Sequence, residues 1–96
     1  MGNFILINNA DNVATATCDI KCGDSAVICD SDGTVCSSLF ANADIVRGHK
    51  IAIRDIMQGE RVIKYGFPIG IASQKICRGD YVHVHNLESE RGRGDL

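Results

Sequence analysis

Four times in 96 residues the chain repeats the pattern x-Ile-x-x-Gly: Asp19-Ile20-Lys21-Cys22-Gly23, Asp44-Ile45-Val46-Arg47-Gly48, Asp55-Ile56-Met57-Gln58-Gly59 and Lys75-Ile76-Cys77-Arg78-Gly79. A polar residue caps a single helical turn, Ile pins the turn into the core, and Gly takes the left-handed exit before the next strand. Between and around the copies lie short apolar or alternating runs: Phe4 to Ile7, Val13 to Cys18, Ala26 to Cys29, Thr34 to Leu39, Lys50 to Ile53, Arg61 to Lys64, Ile69 to Ala72 and Tyr81 to His85. Runs of this length and spacing predict a mainly β domain whose corners are these short helical turns. Backbone geometry alone accounts for the Ile and Gly positions. Asp32-Gly33 predicts a tight primed hairpin turn, and Pro68 in Gly66-Phe67-Pro68-Ile69-Gly70 predicts a bend or loop rather than a central strand.

A chain this short buries only about two-thirds of its unfolded surface, so a deep cleft walled by it alone is not expected. Trp is absent and the aromatic residues are Phe4, Phe40, Phe67, Tyr65 and Tyr81. That leaves no platform for stacking nucleobases, and nucleic acid is not an expected partner. Residues 1 to 46 hold one base against six acids, whereas residues 47 to 96 hold nine bases against six acids. A basic half on a mildly acidic protein suits a small anionic substrate or an acidic partner surface. The cysteines are Cys18, Cys22, Cys29, Cys36 and Cys77, odd in number and without a C-x-x-C pair. They are expected to be reduced and buried, signalling neither a disulfide framework nor a zinc site. Met1 to Ile7 has neither a basic leader nor a long apolar run, and no stretch nears the roughly 20 apolar residues of a membrane helix. A cytoplasmic protein without a membrane partner is the expectation.

Three groups of residues have side chains suited to chemistry. His83 and His85 flank Val84, and a strand there places both imidazoles on one face about 7 Å apart, with Val82 and Val84 opposite. Such a face can bind a divalent metal or divide acid and base roles, and it competes with an ordinary exposed polar face. Asn86 follows and has an amide able to orient an imidazole or a substrate hydroxyl. Arg47-Gly48-His49-Lys50 collects cationic groups around a glycine, an arrangement suited to a carboxylate, against which stands a plain solvated turn. Lys64 offers an anion contact or simply ends a strand.

Taken in order, Arg47-Gly48-His49-Lys50-Ile51-Ala52-Ile53, Asp55-Ile56 with Gly59, Val62-Ile63-Lys64-Tyr65-Gly66 with Pro68-Ile69-Gly70, and Val82-His83-Val84-His85-Asn86 form one long signature. It resembles the SAF domain of the altronate/galactarate dehydratase family, across residues 3 to 87 and most closely from 44 to 86. Asn12-Val13-Ala14-Thr15-Ala16 shares the likeness, whereas the segment Cys18 to Cys36 departs from it. The resemblance implies a β-clip fold over 3–87, with 88–96 as a flexible polar tail or linker. It further implies a small subunit or N-terminal module of a sugar-acid hydro-lyase, inactive alone and working with a large dehydratase subunit or domain on a small anionic sugar acid. A homo-oligomer is compatible with it. Iron or manganese is the cofactor it suggests, with His83 and His85 as catalytic or ligand groups and Arg47, His49, Lys64 and Asn86 around the substrate. The small subunit of a sulfolactate sulfo-lyase resembles the same module, and noncatalytic binding or assembly modules share the fold.

Overall fold

The computed structural model describes residues 3–89. Nine strands follow in order: β1 (Phe4–Leu6), β2 (Val13–Ala16), β3 (Ser25–Asp30), β4 (Val35–Phe40), β5 (Lys50–Ala52), β6 (Arg61–Lys64), β7 (Phe67–Ala72), β8 (Tyr81–Val82) and β9 (Leu87–Glu88). The mainly β expectation holds, and each of the eight apolar runs overlaps a strand. The helical corners do not: the described residues contain no helix. In each repeat the residue after Ile accepts a hydrogen bond from the residue after Gly, as in Asp24 N–H to Lys21 C=O at 2.9 Å and His49 N–H to Val46 C=O at 3.0 Å. The glycines at the third turn position have φ of 90°, 87°, 90° and 95°. These are type II β-turns, which require positive φ there.

The repeats work in pairs. Ile20 and Ile45 exchange both backbone hydrogen bonds at 2.8 Å, as do Ile56 and Ile76 at 2.7 Å. Each glycine N–H reaches an alanine C=O four residues before the Ile of the paired copy: Gly23 to Ala41, Gly48 to Ala16, Gly59 to Ala72 and Gly79 to Ala52. The alanine N–H groups return the bond, to Asp24, His49, Glu60 and Asp80 respectively after Ala41, Ala16, Ala72 and Ala52. The structural repeat is therefore Ala-x-x-x-Ile-x-x-Gly, three residues longer than the x-Ile-x-x-Gly pattern and with one more defined residue type. Asp19 and Asp44 accept from the backbone N–H of Arg47 and Cys22 in each other's turns, so the leading aspartate locks its partner's corner rather than capping its own.

The strands form a six-stranded sheet ordered β4-β3-β1-β2-β5-β8 and a three-stranded sheet ordered β6-β7-β9, antiparallel throughout except for the parallel β1–β3 pair. Two cores result. Phe4, Ile20, Ile28, Leu39, Ile45 and Ile51 build the first, with Tyr81 packed against it. Val13, Ala52, Ile56, Val62, Ile76 and Val82 build the second. Val13-Ala14, Ile51-Ala52 and Tyr81-Val82 each send one residue to either core, because successive strand residues point to opposite faces. Strands β2, β5 and β8 are thus a wall buried on both sides.

Asp11 and Asn12 tie the sheets together. The Asn12 side chain donates to Arg61 C=O at 2.9 Å and accepts from Ile63 N–H at 2.8 Å. The Asp11 carboxylate, 1% exposed, accepts N–H groups from Asn8, Tyr65 and Gly66. Tyr65 and Gly66, with φ of 58° and 78°, form the two-residue turn of the β6–β7 hairpin. Both positive angles mark it as a primed turn, so this feature occurs at Tyr65-Gly66 rather than at Asp32-Gly33. The β3–β4 connection is instead a longer loop over which the Asp30 carboxylate accepts from Asp32 and Thr34 N–H. Pro68 lies inside β7 opposite Ile63, next to a register shift that absorbs its missing donor.

Burial of the thiols is likewise corrected: Cys29 is buried, but Cys18, Cys22 and Cys77 are exposed because they ride on the outside of the corners that Ile20 and Ile76 pin from within. Of the tail, Glu88 belongs to β9 and Ser89 follows it, while 90–96 lie outside the described residues, as does the Cys36 side chain. Among the described residues no helix is long and apolar enough to cross a membrane.

Three substitutions measure these devices. Gly59→Ala meets no atom within 4 Å and costs only the positive-φ strain, about 1–2 kcal/mol in urea unfolding. Gly79→Ala adds a 2.7 Å clash with Phe40 C=O and costs visibly more. Asp11→Ala strands three N–H groups and lowers stability by about 2–4 kcal/mol, the same loss appearing in far-UV and near-UV unfolding curves.

Candidate functional site

Antiparallel pairing of β5 with β8 sets Ile51 opposite Tyr81 and Lys50 opposite Val82. His49, two residues before Ile51, therefore shares the face of Tyr81, and so does His83, two residues after it. The rings meet: Tyr81 Oη lies 2.7 Å from His49 Nδ1, Tyr81 stacks on His83 at 5.4 Å and 9°, and His49 and His83 are 4.9 Å apart between centroids. His85 lies 5.6 Å from Tyr81, tilted. Three imidazoles thus surround one phenol, half-buried at His49, Tyr81 and His83 and exposed at His85.

The geometry behind His83 and His85 differs from the expected strand face. Strand β8 ends at Val82, and His83 to Asn86 make a turn closed by Asn86 N–H to His83 C=O at 3.0 Å. Val84 is at the outer apex, 79% exposed, rather than packed inward. Asn86 causes the turn: its Oδ1 accepts from His83 N–H at 3.0 Å and its Nδ2 donates to Tyr81 C=O at 2.8 Å. Buried at 3%, this amide holds Tyr81 and His83 in place.

The cations of Arg47-Gly48-His49-Lys50 separate. Arg47 is exposed on the turn, its N–H held by Asp19. Alternation sends Lys50 through the wall to the face opposite His49, where Lys64 is its neighbour. Burial first, and the Lys64 charge second, hold the Lys50 ammonium below the ordinary lysine value. Lys64 Nζ also sits 4.9 Å over the Tyr65 ring. The sequence reading named Lys64 but missed Lys50 as its companion and missed Tyr81 altogether. The i, i+2 series Tyr81, His83, His85 was the available signal for the phenol.

A metal needs several convergent donors, and among the described residues no three His, Cys, Asp or Glu side chains converge to hold one. Two clefts, of about 340 and 330 Å³, open at the far end of the sheet beside Phe4, Cys29, Asp30 and Asn8 and include none of the imidazoles. The rings of His49, Tyr81 and His83 are half-buried and that of His85 exposed, outside both clefts.

The sequence of this chain is similar to those of known proteins. The altronate/galactarate dehydratase SAF domain matches residues 2–90. The altronate dehydratase of Bacillus subtilis (strain 168) is 43% identical over 89 residues, which cover 93% of this chain and 17% of that protein. The altronate dehydratase of Escherichia coli (strain K12) is 41% identical over 86 residues, 90% of this chain and 16% of its own length. A (2R)-sulfolactate sulfo-lyase subunit alpha from Chromohalobacter salexigens is 52% identical over 44 residues, 46% of this chain and 47% of that subunit. The chain thus spans about one-sixth of the length of the dehydratases it matches. With the match running over nearly all of its residues, this chain belongs to the altronate/galactarate dehydratase SAF domain family.

Proposed function

We propose that this chain is the small module of a sugar-acid hydro-lyase of the altronate/galactarate type, and that its His49–Tyr81–His83–His85 face meets the substrate where a larger lyase part covers it. The observation that carries the reading is the cluster of three imidazoles around Tyr81 in a chain one-sixth the length of the altronate dehydratases it resembles. Dehydrating such an acid removes the proton on the carbon beside the carboxylate and breaks the C–O bond on the next carbon. The C=C bond forms and the hydroxyl leaves as water once it takes a proton. One group must accept a proton and another must supply one, work that imidazoles do near neutral pH. His83 and His85 are assigned these roles, and Arg47 and His49 the substrate anion. Lys50 and Lys64 form a second cationic pair on the reverse face, suited to an acidic surface of the partner. A divalent iron or manganese ion, if the assembled enzyme uses one, takes most of its ligands from the larger part. Elimination of sulfite is the second reading, favoured by the 52% identity to a sulfo-lyase alpha subunit.

Mixing tests this directly. The isolated chain shows no turnover of altronate or galactarate, and adding the larger dehydratase polypeptide restores it; robust turnover by the 96-residue chain alone would overturn the reading. In the assembled enzyme, His83→Gln and His85→Gln each lower kcat by roughly 100-fold at unchanged assembly. Normal rates in both would leave the histidines structural. For the second face, Lys50 is held below its ordinary 10.5 when folded, so the unfolded chain binds more protons in the window just below 10.5 and stability rises with pH through it. Lys50→Met therefore stabilises the chain at neutral pH, and its advantage shrinks as pH climbs toward 10.5 in chemical unfolding.

A further inference from the structure

We infer that Tyr81 is a positioning residue that holds neutral His49 with its proton on Nε2, so that His49 acts as a hydrogen-bond donor to an oxygen of the acid substrate and not as a base. The inference rests on the reading that this face meets substrate, and it separates His49 from His83 and His85, which the reading assigns to proton transfer.

The geometry fixes the phenol before the imidazole. Tyr81 is clamped at its backbone by the Asn86 amide, packed along its ring against the first core, and stacked flat on His83. Its hydroxyl oxygen is thereby brought 2.7 Å from His49 Nδ1. Either atom of that pair can donate in principle. A phenol O–H is a much stronger acid than a neutral imidazole N–H, however, and an imidazole nitrogen is a much stronger base than a phenol oxygen. The O–H···N arrangement therefore wins, Nδ1 becomes the acceptor, and the single imidazole proton resides on Nε2. His49 itself is anchored because its carbonyl accepts from Ala16 N–H at 2.8 Å and its N–H closes the turn on Val46. Nε2–H is left at the ring position that Tyr81 does not occupy. A fixed N–H is suited to a carboxylate or departing oxygen, where charge builds.

Two measurements test the inference and keep its failure separate from that of the parent reading. The first uses the 96-residue chain labelled with ¹⁵N-histidine at about pH 8.5, where free imidazole is neutral. His49 is assigned by comparison with His49→Gln. Two-bond proton–nitrogen correlations are expected to show Nε2 protonated and Nδ1 as an acceptor, with the Nδ1 resonance moving toward its unbonded position in Tyr81→Phe. A proton on Nδ1, or an Nδ1 resonance indifferent to Tyr81→Phe, overturns the inference and leaves the reading of the face standing.

The second uses the chain assembled with its larger lyase part. Tyr81→Phe lowers kcat/KM by about 10-fold, the worth of one lost hydrogen bond. His49→Gln, whose side-chain N–H falls near Nε2, retains more activity than His49→Asn or His49→Ala. Tyr81→Phe added to His49→Gln costs nothing further, since an amide has no tautomer to lock. Additive losses in the double variant mean that Tyr81 acts on something other than His49 and overturn the inference. Full rate in His49→Ala overturns the parent reading at this position and the inference with it.

Discussion

Everything in this chain hangs on the reciprocal hydrogen bonding of its paired corners. Each corner exposes N–H and C=O groups that a lone β-turn would leave to water, and each is satisfied by the other corner of its pair: Ile to Ile, Gly to Ala, Asp to the turn amide. A buried backbone group without a partner is costly, so a corner is stable only when its mate is present. The conserved geometry of the pair explains why the alanines are as buried as the isoleucines, at 0–3% exposure. Any larger side chain at Ala16, Ala41, Ala52 or Ala72 would overpack the core into which the alanine points. The fourth copy starts with Lys75, which has no acceptor oxygen, so the second pair retains only Asp55 to the Arg78 amide.

The paired corners fold the strands around a wall, and the wall sorts the functional groups. In the run His49-Lys50, adjacent residues are sent to different sides of β5, one to the phenol and imidazoles, the other to Lys64. A cluster of charges in sequence is in this way divided into two surfaces with different chemistry. The imidazole surface has rings in fixed contact and hydrogen-bonding capacity to spare. The lysine surface has two like charges in partial burial, an arrangement whose cost an opposing anion would relieve.

Much of this was legible beforehand because it depends on local signals. Eight strands followed from alternation, and the Ile-x-x-Gly copies marked the corners. What was not legible depended on which elements meet. Ala at four residues before Ile is too common a residue to notice until its carbonyl is seen to accept from a distant glycine. Helical caps were expected of Asp19 and Asp44 because a local cap and a cross-chain cap look identical in sequence. The two-residue primed turn was assigned to Asp32-Gly33 on residue preference, yet it formed at Tyr65-Gly66, where the Asp11 carboxylate stabilises a tyrosine in a conformation it would otherwise avoid. His83 and His85 were expected along a strand, and the outcome turned on Asn86, whose amide closes the chain into a turn instead.

The separation of the paired corners along the chain also dictates an order of assembly. Ile20 must wait for Ile45, and the first core is complete only when Ile51 has arrived, whereas the second core needs residues from Val13 to Val82. Contacts of such sequence separation close slowly, since loop entropy is lost before pairing repays it. During synthesis, the stretch up to about the end of β5 can settle around its own pair of corners while β2 and β5 still show one bare apolar face. The later half then closes onto that face as onto a template. A chain interrupted between the two stages would carry Val13 and Ala52 uncovered, a sticky intermediate that ribosome-associated chaperones are suited to hold.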